Sequence, residues 1–136
     1  MPAWLLICLA ACFAPLHLAY AQSQSITAHL GNTLGWNEAQ VHVALGTLLV
    51  YAREHLAKPE FDQLAKRMPN ADFLMQQARS SGTVTRPIDD RDEYEAALAN
   101  MGVGPQSIAQ FAPAVLEYMA AAGYYQERDI LSRVLD

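Results

Sequence analysis

The sequence predicts an all-α protein, a compact bundle of about five to seven short helices around two longer ones at residues 37–56 and 105–122. Three observations predict it. Apolar residues recur every three or four positions, helix-start residues precede those runs, and Gly or Pro closes them.

Residues 1–21 read as a secretory signal peptide that precedes a single helical domain at 22–136. Residues 4–14 are nearly all apolar, Pro15 breaks the run, and Ala19, Tyr20 and Ala21 make a small-x-small cleavage site before Gln22. No Lys or Arg precedes Trp4, so the α-amino group is the only positive charge of the n-region. Three alternatives stand beside cleavage. Leu9-Ala10-Ala11-Cys12 resembles a lipobox that would lipidate Cys12; residues 4–21 could stay as a membrane anchor, against which Pro15 and His17 stand; or the start codon is misassigned. The expected location is the periplasm or the exterior, with no integral membrane span once the leader is removed. Both cysteines, Cys8 and Cys12, lie in the leader, so residues 22–136 have no thiol for a disulfide, thiol catalysis or a cysteine metal site.

Ile26, Leu30 and Leu34 recur every four residues and predict a short helix ending at Gly35. Trp36 is placed to staple the next turn against Val41. Asn37 and Gln40 form an N-cap and N3 pair of the capping-box kind, and the helix they open runs to Lys58-Pro59. Its main face carries Val41, Leu45, Leu48, Leu49, Ala52 and Leu56. Val43, Gly46 and Val50 make a second apolar seam behind it. A helix apolar on two sides is covered on two sides, so this is either the central helix of the bundle or one whose seam meets a partner.

Pro59 suits a first helical turn, and Phe61, Leu64, Ala65 and Met68 follow as a stripe until Pro69. Asn70 can cap a helix over 71–79 that carries Phe73, Leu74 and Ala78. Residues 80–91, with Ser80-Ser81-Gly82, Arg86-Pro87 and Asp89-Asp90, read as the most exposed and mobile loop. A helix restarts with Asp92, Glu93 and Glu95 near its beginning, buries Tyr94, Ala97, Leu98 and Met101, and ends at Gly102. Pro105 opens the second long helix, where Ile108, Phe111, Ala112, Val115, Leu116, Met119 and Ala122 share a face. Pro113 lies inside it and predicts a kink. Gly123 closes that helix, and Ile130, Leu131, Val134 and Leu135 mark a final one. Asp62 with Lys66 and Asp129 with Arg133 are four apart, pairs of about a few tenths of a kcal/mol at most.

An offset of 67 positions pairs Leu34 with Met101, Gly35 with Gly102, Val41 with Ile108, Leu48 with Val115, Tyr51 with Tyr118 and Leu64 with Leu131. It suggests two copies of a long-helix plus short-helix hairpin joined by the 80–91 loop. Periodicity alone would align any two such helices, but it does not demand the Gly and Tyr matches.

Several stretches also resemble one known family. Leu34-Gly35 with Gln40-Val41 opens a long helix, Phe61-Asp62-Gln63-Leu64 runs into Met68-Pro69-Asn70-Ala71, and Phe111-Ala112-Pro113 leads to Leu116-Glu117-Tyr118 and a Leu-rich last helix. Together they resemble the bacterial VcgC/VcgE-type domain family of unknown function over roughly residues 30–135. The resemblance implies a small exported helical protein and brings no catalytic residues with it. Pro69-Asn70 stands where the resemblance would lead one to expect Pro-Gly, a mild departure because Asn also tolerates left-handed backbone.

The chemistry of the side chains excludes more than it assigns. Net charge is −5, and basic residues are scattered singly apart from Lys66-Arg67, which is no nucleic-acid surface. His42 and His55 fall on different sides of one helix and His29 stands alone, so no histidine pair is set for a metal. Asp89, Asp90, Asp92, Glu93 and Glu95 lack the Gly and the final acidic residue of a calcium loop, and a helix N-terminus accounts for them. There is no Ser-His-Asp set, HExxH or phosphate loop. No catalytic, cofactor-binding or metal-ligating residue is therefore assigned, and no cofactor. The expected role is a non-enzymatic interaction or scaffold module of the cell envelope, with Val43, Gly46 and Val50 as its seam for an unknown protein partner or a second copy. The alternative is a carrier or sensor of a small apolar ligand held between the two long helices, lined by Phe111, Tyr118 and Met119, with Tyr124 and Tyr125 nearby.

Overall fold

Local capping fixes where each helix begins and ends. In the computed structural model, which describes residues 25–136, these are α1 (Ile26–Leu34), α2 (Glu38–His55), α3 (Lys58–Ala65), α4 (Ala71–Ser80), α5 (Arg91–Ala99), α6 (Pro105–Ala121) and α7 (Tyr125–Leu135). There is no strand among the described residues. The signal peptide, its cleavage after Ala21, Cys8, Cys12 and the anchor alternative lie outside them. No described helix is long and apolar enough to cross a membrane.

The Asn37 side chain accepts from the Gln40 N–H at 2.8 Å while Gln40 accepts from the Asn37 N–H at 3.0 Å, so the capping box is complete. Asn70 caps α4 from a left-handed backbone, φ 54°, and accepts from the Phe73 N–H. Gly35 and Gly102, at φ 70° and 80°, turn the chain after α1 and α5 in the left-handed conformation that favours glycine.

The core forms around α2. Every residue from position 44 to 52 is buried, because α1, α3, α5 and α7 all touch α2 and α4 lies along it more extensively than any other helix. His42 meets Phe73, Gly46 meets Leu74, and Arg53 shares a surface hollow with Arg79, so α2 and α4 run in the same sense. The missing side chain of Gly46 permits this: a Cβ there would stand 1.9 Å from the Leu74 carbonyl oxygen. The expected partner seam is thus corrected. Gly46 is covered by α4 of the same chain, Val50 is buried, and Val43 is half-buried.

Other expectations change for equally local reasons. Thr83, Val84 and Ile88 are buried, so the 80–91 connection is tied to the core by apolar anchors instead of being exposed throughout. Asp62 pairs with Lys58 at 2.8 Å, Asp129 with its neighbour Arg128, and Arg133 reaches across to Glu60 on α3. Pro113 sits on the exposed side of α6, which continues through it. Ala122 is exposed beyond the end of that helix.

The repeat seen in the sequence has a counterpart in the helix order. α2 and α6 start at residues 38 and 105, and α3 and α7 at 58 and 125, each pair 67 apart. Contacts are reciprocal: α1 packs on α6, α5 packs on α2, and α3 meets α7. α1 and α5 start only 65 apart, and α4 has no equivalent in the second half. Its packing closes the back of α2, so that residues 44–52 of the first long helix are buried on every side while the second long helix keeps an exposed side.

Candidate functional site

The residues expected to line an apolar pocket between the two long helices lie at the junction of α1 and α6. Phe111 and Met119 are buried, and the Trp36 ring stacks on Phe111 with centroids 5.6 Å apart. Trp36 thus packs directly on Phe111, one of the three residues expected to line the pocket with Tyr118 and Met119. Tyr118 is half-buried with its ring 5.5 Å from that of His29. The three histidines of the described residues lie apart: His29 by Tyr118, His42 by Phe73, and His55 against Tyr51 at 4.5 Å. No group of three or more metal-ligating side chains forms among the described residues.

What the fold does expose is a surface at the N-terminal ends of α2 and α4. Leu74, Met75 and Ala78 point inward, which turns Phe73 outward; its relative exposure is 44 %. It stands edge-on to His42 at 5.8 Å. His42 also borders a hollow of about 490 Å³ whose apolar wall is Ala28, Gly31, Trp36 and Pro69 and whose rim carries Glu38. The sequence groups Phe73 with Leu74 and Ala78 as the apolar residues of this helix, and the structure separates it from them. Asp72, Gln76 and Ser80, polar and on the same side of the helix, were the signal that it faces out.

A second polar centre ties α7 to the turn that follows α3. Glu127 is 4 % exposed, and its carboxylate accepts from Arg67 at 3.0 Å. The Arg67 guanidinium also lies 4.5 Å from the centre of the Tyr124 ring. Burial pushes the Glu127 carboxyl up, but its own backbone N–H, Arg67 and Gln63 outweigh that and hold it below the usual carboxylate range. The partners are sixty residues apart in the chain, beyond the reach of any helical spacing rule.

Tyr94 is buried and stacks on Tyr51 with centroids 4.9 Å apart, yet its hydroxyl has no hydrogen-bond partner among the described residues. Burial pushes its pKa far above the ordinary tyrosine value, with Arg91 opposing weakly, so it is a neutral phenol and no base. Removing an unsatisfied hydroxyl relieves its desolvation cost. Tyr94→Phe should therefore leave stability unchanged or raise it by about 1 kcal/mol in urea unfolding; a clear loss would mean that the hydroxyl is satisfied.

Compared with known families, residues 17–134 match the family described as protein of unknown function VcgC/VcgE (DUF2780). No curated protein and no solved structure matches the chain.

Proposed function

This chain belongs to the VcgC/VcgE family of unknown function, and from that premise we propose that it is a non-enzymatic helical interaction module of the bacterial cell envelope. The observation that carries this is the outward Phe73, which a folded chain gains nothing by exposing, beside the hollow of mixed lining that Trp36 and Pro69 share with Ser25, Thr27 and Asn32. Half-exposed aromatics beside a concavity are typical anchors of protein contacts. Glu38 on the rim and Asp72 beside Phe73 favour a protein partner that presents an apolar side chain flanked by basic residues. Export rests on the pattern of residues 1–21, with cleavage before Gln22.

A photo-crosslinking amino acid at position 73, in bacteria making the full chain, should give a discrete protein adduct that one at Glu117, an exposed residue of α6, does not. Identical adducts at both positions, or none at 73, would remove the proposed surface. Phe73→Ser should abolish the adduct of a crosslinker placed at Asp72 while changing stability by no more than about 0.5 kcal/mol. Periplasmic protein beginning at Gln22 would support export, and an intact cytoplasmic chain would refute it.

A further inference from the structure

At the opposite end of the α2 and α4 pair lies a hollow of about 480 Å³ in which three arginines converge, although the chain as a whole is acidic. Arg53 comes from the last turn of α2, Arg79 from the last turn of α4, and Arg86 from the connection that follows. Val50, Val84 and Pro87 supply an apolar wall, and the first two are buried. Arg86 is paired with Glu93 at 3.2 Å, whereas Arg53 and Arg79 have no ion-pair partner among the described residues. A basic residue in a last turn also offsets the helix-end carbonyls, which explains the sign of each charge. It does not explain why two helix ends and a loop bring them to one concavity, a loop held there by Val84 and Ile88.

We propose that this hollow binds a small organic monocarboxylate, its carboxylate held by Arg53 and Arg79 and its apolar part resting on Pro87 and on the edges of Val50 and Val84 that reach the hollow. Charge selects that class. Counted over formal side-chain charges, three arginines less Glu54, which also lines the hollow, and Glu93, which pairs with Arg86, leave one positive charge. A monoanion balances it and a phosphate dianion does not. Planar guanidinium forks match carboxylate oxygens, and the volume is in the ordinary range of small-molecule sites. Thr85 adds a hydroxyl at the edge. This site is separate from the Phe73 surface and does not depend on it.

The test titrates the full chain with hexanoate, hexanamide and inorganic phosphate, followed by amide chemical shifts. Hexanoate should saturate and shift the amides of Val50, Val84 and Thr85, while hexanamide leaves them in place. Arg53→Gln and Arg79→Gln, each folded by circular dichroism, should each weaken hexanoate about tenfold, the loss of one charge-assisted contact. Four outcomes would overturn the proposal: no probe binding, hexanamide binding as well as hexanoate, phosphate binding equally well, or shifts that map elsewhere on the surface.

Discussion

Gly46→Ala is expected to destabilise the protein by about 3 kcal/mol and to lower Tm by roughly 10 °C. Intrinsic propensity points the other way, since alanine is better than glycine inside a helix by about 1 kcal/mol. Geometry decides between them. The added Cβ would lie 1.9 Å from the oxygen and 2.5 Å from the carbon of the Leu74 carbonyl, and 3.1 Å from the Ala78 Cβ. Neither Leu74 atom belongs to a side chain that can turn aside, so α4 must move off α2. That motion loosens Val50, Leu74, Met75 and Ala78, all buried. Urea unfolding of the variant checks this. A stable Gly46→Ala protein would mean that α4 does not lie on the seam, and would make Val43, Gly46 and Val50 a partner surface again.

The same glycine shows how far the sequence could be read. Two apolar stripes on residues 37–56 required two covers, and the capping pair at Asn37 and Gln40 placed the start of α2 within one residue. What covers the second stripe is a tertiary fact: α4 reaches it only after α3 has redirected the chain. Val84 and Ile88 lay unnoticed in the 80–91 loop because they are single apolar residues amid turn signals, with no period to betray their burial. Helix-helix charge pairs were mispaired for a related reason. Spacing favours Asp129 with Arg133, but Arg133 faces Glu60, and a contact between distant helices outranks a local one only once the fold exists. The Phe73 surface was legible in part, through its polar neighbours. The arginine hollow was not, since Arg53, Arg79 and Arg86 are isolated in sequence and meet only through the parallel course of α2 and α4 and the anchored loop.

Arg67→Ala should cost between about 2 and 3 kcal/mol at neutral pH and progressively less in acid. The substitution leaves Glu127, almost wholly buried, without its cation while Gln63 and the first turn of α7 remain. The cost is below that of a fully buried pair because the Arg67 side chain is itself 43 % exposed. The pH dependence follows from the direction of the Glu127 shift. Its carboxyl is held below its ordinary value of 4.5 in the folded wild type, so its stabilising contribution is present above that pH and is lost as pH falls through the folded value. In Arg67→Ala, burial is opposed by fewer groups and the carboxyl moves upward. If it passes the unfolded value, the variant gains stability on acidification while the wild type loses it. Unfolding free energies at neutral pH and near pH 4 should therefore converge, and Glu127→Gln in the Arg67→Ala background should recover part of the loss by removing the unpaired charge. A pH-independent difference would assign the whole effect to packing of the Arg67 stem against Tyr124. Convergence would instead identify the ion pair as the polar lock between α7 and the turn that follows α3, and the starts of these two short helices lie 67 residues apart.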